Sequence, residues 1–351
     1  MPITVHHLTP TFRPHDALGV HTKNLHGLVT NVGNRSLIWS GERRSPAPAK
    51  HWRRFKTERS GRDLLIYQAA TGSEMVEEIL LRQETLIVNY HNITPAHYFD
   101  QLAPNLAFEL RQGREQLSRM AKRARMAIAD SEFNASELRA LGFANVLTIP
   151  VLADFGKRVE RKPRTEPVLR GSQWLFVGRL VPNKAQHDLI VALAAYRELY
   201  DSEATLTLVG GGLPSYQKKL QDLLSELGIS EAVRMVGVVS EEEKRDYFRS
   251  ADIYLSLSDH EGYGVPLVEA MHHGLPVVAF DVAAVGETVG KSGLLLLEKK
   301  PTNVAAVIFE VLSDPKVYQS IVASGLDRSK ELSYHYSAKA FIEALSPLLY
   351  D

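Results

Sequence analysis

The 351-residue chain contains no cysteine, which excludes disulfide bonds, thiol nucleophiles and thiolate metal sites. No apolar run approaches the roughly 18 residues of a membrane-spanning helix, and no basic segment followed by an apolar stretch opens the chain. Aromatic residues make up 8% of the sequence and do not alternate with basic ones, so a dedicated nucleic-acid module is not predicted. Together these absences favour a cytoplasmic protein.

The formal net charge is zero, but the charge is unevenly divided along the chain. Residues 1–152 carry 19 Lys and Arg against 14 Asp and Glu, and the remainder has the opposite balance. Much of the basic excess lies between residues 43 and 62 and between residues 111 and 125. These segments are either ordinary solvated faces or a surface for an anionic acceptor or membrane. The membrane alternative would place the protein peripherally at the inner face of the membrane.

Short β-branched runs alternate with longer amphipathic segments, a pattern typical of βα units with parallel sheets. Strands are predicted at 3–8, 36–39, 64–67, 85–90, 126–129, 145–149, 173–177, 204–209, 233–236, 253–257, 276–279 and 294–297. Helices are predicted at 19–30, 73–82, 108–125, 186–200, 215–227, 241–250 and 266–273. The charged, proline-containing stretch 153–171 predicts a linker between an N-terminal α/β domain, 1–152, and a C-terminal one, 172–336.

The most informative segment is SDHEGYGVPLVEAM, residues 258–271, which follows a predicted strand and opens a predicted helix. Gly262 and Gly264 flank Tyr263 and would let backbone amides approach a ligand closely. Free N–H groups at the helix start, around Val265, favour a phosphate. The turn therefore has the features of an anion-binding site.

Two glutamates, Glu261 and Glu269, flank this turn. Carboxylates beside a phosphate site suit hydroxyl groups, such as those of a sugar and of a ribose. An anion-binding turn between two hydroxyl acceptors predicts a nucleotide-sugar site. The alternative is an ordinary strand–turn–helix with surface glutamates.

A second element follows the strand predicted at 173–177, where Gly178 ends the strand and Arg179 and Lys184 lie in the next loop. A planar guanidinium and a compact ammonium form a suitable pair for a diphosphate leaving group. Two fixed cations can stabilise the departing charge without a metal. Taken alone, the pair would be ordinary surface cations.

Two weaker signals lie in the N-terminal half. Gly19 is close to a predicted helix start, which is a position for phosphate approach or a plain turn. His91 follows the strand predicted at 85–90, at the edge where ligands bind in open α/β sheets. Alone, such a histidine is also typical of a hydrogen-bonded structural residue.

Taken together, these residues resemble glycosyltransferase family 4, the retaining enzymes of the GT-B fold. The resemblance is dense from about residue 173 to 297 and thinner over the N-terminal domain. It includes the Glu-x7-Glu motif, the Gly-Arg…Lys segment, His91, and the strand-end glycines at 210–212. It implies two facing Rossmann-like domains with parallel sheets, a deep interdomain cleft, and an acceptor that docks on the N-terminal domain. A C-terminal helix, 337–351, would pack back on that domain, with Pro347 fraying or kinking its end.

The resemblance also implies roles for the residues of the C-terminal domain. Glu261 would hold donor-sugar hydroxyls and Glu269 the ribose hydroxyls. Arg179 and Lys184 would neutralise the diphosphate, assisted by the turn that contains Gly178, Gly262, Tyr263, Gly264 and Val265.

From the N-terminal domain, the resemblance implies that Gly19 approaches the diphosphate and His91 contacts the donor sugar near the reacting carbon. The base would be read by backbone groups around Val238. The donor would be a hexose on UDP or GDP, and the acceptor a glycan, a lipid-linked compound or another hydroxyl. Neither a metal nor a cofactor is implied, and the sequence says nothing of oligomeric state.

Several alternatives stay open beside this interpretation. One is a non-catalytic nucleotide-sugar-binding or scaffold protein, and others are a sugar phosphorylase or an enzyme acting on a protein or nucleic-acid acceptor. ATP hydrolysis is not predicted, because position 285, where a P-loop ending at Lys291 and Ser292 needs its first glycine, is Val285. His21, His97 and the adjacent pair His272 and His273 lack a metal-ligand spacing.

Overall fold

The computed structural model describes residues 3–13, 16–56, 63–161 and 164–349, and the chain divides into two compact units. The first unit comprises Met1–Asp100, Pro104–Asp154 and Leu332–Asp351. The second comprises Gln101–Ala103 and Phe155–Glu331. Among the described residues, no helix is long and apolar enough to cross a membrane.

The first unit is built on a seven-stranded parallel sheet with the order β3-β2-β1-β4-β5-β6-β7. Its strands are β1 (Thr4–Thr9), β2 (Arg35–Ser40), β3 (Lys50–His51), β4 (Leu64–Ala69), β5 (Thr85–Tyr90), β6 (Met126–Ala129) and β7 (Val146–Thr148). Its helices are α1 (Ala17–Asn31), α2 (Met75–Leu80), α3 (Pro104–Met120), α4 (Glu132–Ala140) and α12 (Tyr334–Leu349).

The second unit is built on a six-stranded parallel sheet with the order β10-β9-β8-β11-β12-β13. Its strands are β8 (Gln173–Val177), β9 (Thr205–Val209), β10 (Val233–Gly237), β11 (Ile253–Ser256), β12 (Val277–Phe280) and β13 (Leu294–Leu296). Its helices are α5 (Gln186–Leu199), α6 (Pro214–Glu226), α7 (Glu241–Ser250), α8 (Val265–His272), α9 (Val285–Val289), α10 (Pro301–Ser313) and α11 (Pro315–Glu331). The prediction of two parallel α/β domains is therefore confirmed.

The burial of the central strands explains why their sequences form continuous apolar runs. Every residue of β4 is buried, and so is every residue of β6 and β11. A parallel strand covered by helices on both faces appears as a continuous apolar run rather than an alternating one. Five of the strands and helices named above were not predicted: the two-residue edge strand β3 and the helices α4, α9, α10 and α11. Helix α4 begins where the Ser131 side chain accepts from the Asn134 N–H.

The segment predicted as a linker lies mostly in the second unit. Arg161 donates to the carbonyl oxygens of Phe248 and Ala251 at 2.5 and 2.6 Å, at the end of α7. Two residues of this segment, Lys162 and Pro163, lie outside the described part of the chain.

The last helix, α12, belongs to the first unit. Ala338, Phe341 and Leu345 are buried in a cluster with strand residues of that unit, among them Val5 and Ile66. The helix begins three residues earlier than predicted and continues past Pro347 to Leu349. The fraying or kinking expected at the proline is not tested by these bounds and stays a prediction.

Candidate functional site

In the second unit, the predicted site residues follow the carboxyl ends of the parallel strands. Gly178 and Arg179 come directly after β8, Val238 comes after β10, and residues 258–271 follow β11. The chain passes from β8 to β9 on one side, while β11 pairs with β8 on the other. The loops after β8 and β11 therefore diverge at a topological switch point, where open α/β sheets bind their ligands.

Lys184 and Glu261 form an ion pair at this switch point. Lys184 Nζ lies 2.5 Å from Glu261 Oε2, and the Ser258 hydroxyl donates to Glu261 Oε1 at 2.8 Å. Only 19% of the lysine side chain and 10% of the glutamate side chain are exposed. Either charge alone would be costly to remove from water, so the two stabilise each other. The fold thus joins two of the four residues predicted to be catalytic, although 77 positions separate them.

Backbone hydrogen bonds between the two loops hold this pair in place. The Asp259 N–H donates to the Asn183 carbonyl oxygen at 2.8 Å, and Asn183 Nδ2 donates to the His260 carbonyl oxygen at 3.3 Å. Lys184 and Glu261 each follow immediately after these contacts in the chain. Their separation is therefore set by main-chain geometry as well as by their own charges.

The second glutamate of the motif, Glu269, also contacts a lysine, which the sequence interpretation missed. Lys244 Nζ lies 2.8 Å from Glu269 Oε1 and 2.9 Å from Glu241 Oε2. Burial raises the pKa of Glu269 above its ordinary value, and the Lys244 charge opposes that rise. Burial lowers the pKa of Lys244, but the two carboxylates outweigh burial and the net shift is upward. No local spacing signals a contact between positions 25 apart on separate helices.

The turn between the two glutamates has the backbone conformation that its glycines predict. Gly264 precedes the first residue of α8 and has φ 87°, in the left-handed region. A Cβ at this position would also lie 2.6 Å from Leu267 Cδ1. Tyr263 is buried, and its carbonyl oxygen accepts from the Thr288 hydroxyl at 2.5 Å. Gly262 lies half-buried before it.

Three further predicted residues lie around the same sheet edge. Arg179 is exposed, and its carbonyl oxygen accepts from Gln186 Nε2 at 2.9 Å, which connects the loop after β8 to the first turn of α5. The Gly178 N–H donates to the Val209 carbonyl oxygen at 2.9 Å. Val238 is 73% exposed, an apolar side chain at the strand end where a base was predicted to bind.

In the first unit, His91 directly follows β5 and lies among buried polar side chains. His91 Nδ1 lies 2.8 Å from Asp130 Oδ2, and His91 Nε2 lies 2.7 Å from the Gln68 side-chain amide. That amide lies 3.0 Å from the Asn89 side-chain amide, which in turn lies 2.6 Å from His21 Nε2. The sequence interpretation named His91 but none of these neighbours as its partners.

The backbone of Leu152 sets the direction of hydrogen bonding in this network. The Leu152 N–H donates to His21 Nδ1 at 3.0 Å, and burial holds the pKa of His21 well below its ordinary value. The neutral His21 ring therefore carries its proton on Nε2, which requires the Asn89 amide to present its oxygen. The Gln68 amide then presents its NH2 group to Asn89 and His91, and His91 donates from Nδ1 to the Asp130 carboxylate.

Among the described residues, His21, His91 and Asp130 are a group whose ligand atoms lie within 4.8 Å of one another, as a metal site would require. The Asn89 amide contacts the His21 ring, and the Gln68 amide contacts the His91 ring. The hydrogen-bond network accounts for this arrangement without an ion. The predicted independence of a metal is not tested by this geometry and stays a prediction.

Gly19 lies in the first turn of α1, where its N–H donates to Asp16 Oδ1 at 2.7 Å. A Cβ at Gly19 would lie 1.8 Å from the Arg13 carbonyl oxygen. The preceding loop therefore requires a glycine here for packing, a reason that the sequence interpretation did not include. Its predicted approach to a diphosphate stays a prediction.

Comparison with known proteins finds a family match within the second unit. Residues 159–328 match the family model described as Glycosyl transferases group 1. Over 177 residues the chain is 34% identical to the D-inositol 3-phosphate glycosyltransferase of Corynebacterium urealyticum, a match covering 48% of this chain and 41% of that protein. The chain spans about half the length of the curated relatives it matches.

Two solved structures share the fold over almost the whole chain. Sucrose-phosphate synthase from Thermosynechococcus elongatus has a TM-score of 0.78 and 17% identity, covering 98% of this chain and 99% of that one. Anabaena HepE in complex with UDP-glucose has a TM-score of 0.75 and 18% identity, covering 98% and 100%. These likenesses confirm the predicted fold class.

The matched segment contains every predicted site residue of the second unit and also Lys244, whereas Gly19 and His91 lie outside it. The resemblance to glycosyltransferases is therefore confirmed: residues 159–328 match the group 1 glycosyl transferases, and the chain has the GT-B fold.

Proposed function

We propose that this protein is a retaining, metal-independent glycosyltransferase of family 4 that transfers a hexose from a UDP- or GDP-sugar to a hydroxyl acceptor. The observation that carries the proposal is the Lys184–Glu261 pair at the switch point of the second sheet. It lies within the segment that matches the group 1 glycosyl transferases. Two relatives support the donor class: one is named a glycosyltransferase, and HepE was solved with UDP-glucose.

In this proposal the charged residues contact different parts of the donor. Glu261 accepts hydrogen bonds from sugar hydroxyls, and Glu269 accepts them from the ribose. The Lys184 ammonium has three N–H donors, so it can keep its bond to Glu261 and donate to a phosphate oxygen. Arg179 supplies the second cation for the diphosphate. Fixed charges of this kind stabilise the leaving group most when water is excluded.

The reaction forms a bond from the acceptor oxygen to the anomeric carbon and breaks the bond from that carbon to the diphosphate. The acceptor's hydroxyl proton passes to the departing phosphate on the same face, which retains the anomeric configuration. Glu261 therefore acts as a sugar ligand and not as the base. This assignment matches its contacts, since both of its carboxylate oxygens already accept hydrogen bonds.

For the acceptor, we infer a hydroxyl compound of glycan, polysaccharide or glycolipid synthesis. Exposed cations cluster in the first unit, at Arg43, Arg44, Lys50, Arg53, Arg54 and Lys56. Such a cluster suits an anionic acceptor or the anionic surface of a membrane. Either contact would weaken as salt is added, because exposed charges are screened.

Thermal unfolding with and without donor tests the proposal. UDP, GDP, ADP and their common sugar conjugates would be screened, because a ligand that binds only the folded state stabilises it by about 2.7 kcal/mol at 100 times its Kd. We expect one nucleoside diphosphate to raise the melting temperature selectively. The shift should be lost in Lys184→Met and kept in Lys218→Met, whose lysine pairs with Asp222 on the exposed face of α6.

A second variant separates the sugar contact from the phosphate contact. Glu261→Gln should keep the stabilisation by the free nucleoside diphosphate and lose the additional stabilisation by the sugar conjugate, together with most turnover. Stabilisation by a nucleotide sugar without any turnover of it would favour a non-catalytic binding protein. Near wild-type turnover in Glu261→Gln would contradict the site assignment.

A further inference from the structure

Lys244 has an unusual environment for a lysine. It follows the first turn of α7, whose start is formed by a capping box between Ser240 and Glu243. The positive end of the helix dipole disfavours a cation there. Only 19% of the Lys244 side chain is exposed, and its ammonium points to Glu269 on α8. The contact therefore needs a reason beyond helix formation.

Glu269 supplies half of that reason. Its side chain is 6% exposed, and an isolated carboxylate at such a position would favour its neutral form. The Lys244 ammonium at 2.8 Å supplies the compensating charge. The ammonium also lies 2.9 Å from Glu241 Oε2, and the Glu241 side chain is 59% exposed. Lys244 is thus fixed between one buried and one exposed carboxylate.

The location of the pair supplies the other half. Glu269 lies on the helix that begins at the Gly264 turn. Both motif glutamates act electrostatically on the Tyr254 hydroxyl of β11: burial raises its pKa, and the charges of Glu261 and Glu269 raise it further. Both carboxylates therefore act on one place at the carboxyl end of β8, where the Tyr254 hydroxyl donates to the Val177 carbonyl oxygen at 3.2 Å. An ionised carboxylate accepts hydrogen bonds from two adjacent hydroxyls, whereas a protonated one must donate one of its own.

We propose that Lys244 is a positioning residue for the nucleotide: it holds the Glu269 carboxylate ionised and oriented so that Glu269 can accept hydrogen bonds from both hydroxyls of a ribose. The inference rests on the proposed function, since it assigns the ribose to Glu269. Lys244 itself need not touch the ligand.

Few other ionisable groups face Glu269 from the elements around it. Lys244 and Glu241 come from α7, and Tyr254 comes from β11. On α8's own C-terminal side, burial lowers the pKa of His273 to about 3, so this residue carries no charge at neutral pH. Helices α9 and α11 also pack against α8, and Arg328 on α11 donates to the carbonyl oxygens of Glu287 and Thr288 on α9.

The test measures how much the protein prefers a ribose over a 2′-deoxyribose. Binding of UDP, GDP and ADP, each beside its 2′-deoxy counterpart, would be titrated calorimetrically between pH 6 and pH 9. A hydrogen bond from a hydroxyl to a carboxylate gives about a tenfold preference or more. We expect this preference in the wild type and in Lys218→Met, and its loss in Glu269→Gln.

In Lys244→Met, the preference should fall below about threefold at pH 6 and rise again toward pH 9. The direction follows because removal of the cation raises the pKa of the buried Glu269 carboxyl further, so that the group ionises only at higher pH. Lys244→Arg should retain the wild-type preference, and Lys244→Gln should behave as the methionine variant does. The glutamine variant serves if the methionine variant fails to fold.

Two results would overturn the proposal. One is an unchanged ribose preference in Lys244→Met and Lys244→Gln at every pH. The other is an equal loss of affinity for ribose and deoxyribose nucleotides, which would show that Lys244 acts only on structure or on the diphosphate. A wild type that binds none of the three nucleotides would instead refute the proposed function, and with it the basis of this inference.

Discussion

Gly19 and Gly27 lie on the same helix, α1, in opposite steric environments. A Cβ on Gly19 would lie 1.8 Å from the Arg13 carbonyl oxygen, whereas a Cβ on Gly27 would have no atom within 4 Å. Both glycines lie within the helix predicted at 19–30, and only Gly19, close to the helix start, was considered for the approach of a phosphate. The contact with Arg13 comes from the return of the loop after β1, which no local pattern encodes.

Alanine at these two positions should therefore have opposite effects. Gly19→Ala forces the backbone apart and should cost about 1–3 kcal/mol or more of the free energy of unfolding. Gly27→Ala should stabilise by about 0.5–1 kcal/mol, because glycine is entropically costly in a helix. The midpoints of urea unfolding would measure both. Equal midpoints for the two variants would contradict the close approach at Gly19.

At the scale of elements, α12 shows how a segment remote in sequence completes a core. Its buried residues Ala338, Phe341 and Leu345 pack with strand residues of the first unit. The ring of Phe341 lies against His21, with centroids 5.4 Å apart. His21 belongs to the network around His91, so the last helix supports the environment of a predicted site residue.

Truncation of that ring tests the contribution of α12. Phe341→Ala removes a fully buried aromatic side chain and should cost about 3–5 kcal/mol. Tyr336→Ala on the same helix is the matched control, because Tyr336 is 56% exposed and its loss should change stability by about 0.5 kcal/mol or less. Thermal unfolding of the two variants gives the comparison, and similar losses in both would argue against a core role for α12.

At the scale of the whole molecule, burial of neutral histidines connects stability to pH. Burial lowers the pKa of His7 to about 3, and it also lowers those of His6, His21 and His26, all in the first unit. In the second unit it lowers the pKa of His273 to about 3. Folding thus keeps these rings neutral where the unfolded chain would protonate them.

Stability should therefore fall as the pH drops below about 6.5, the pKa of an unfolded histidine. A group whose pKa is lower in the folded state makes its full contribution to stability above its unfolded-state pKa. That contribution is lost as the pH falls toward its folded-state pKa. For His7 the loss at pH 5 is about 2 kcal/mol. Carboxylates with a lowered pKa, such as Glu243, change stability only below about pH 4.5, so they do not contribute to the decline between pH 6.5 and pH 5.

Urea unfolding at pH 8, 7, 6 and 5 would measure the decline in the free energy of unfolding. In His7→Gln the loss between pH 8 and pH 5 should be smaller by about 2 kcal/mol. The glutamine variant can still contact the Ser36 hydroxyl, which His7 Nε2 meets at 3.0 Å. A pH profile with the same slope in the variant would show that His7 does not titrate in this range.

Local sequence patterns predict the parallel α/β architecture, the positions of most strands, and the turn around Tyr263 with its two glutamates. Each of these depends on local spacing: continuous apolar runs for covered strands, and glycines next to a helix start for the turn. The start of helix α4 is also encoded locally, because Ser131 caps its first turn.

Which charged side chains come into contact depends on the tertiary structure. Lys184 reaches Glu261 because β11 pairs with β8 while β9 and β10 lie on the other side of β8, an order that spacing along the chain does not encode. The same holds for Lys244 with Glu269, and for the amides and carboxylate around His91. Strand order is set by packing over the whole sheet, and buried polar partners are then chosen by the need to compensate charge away from water.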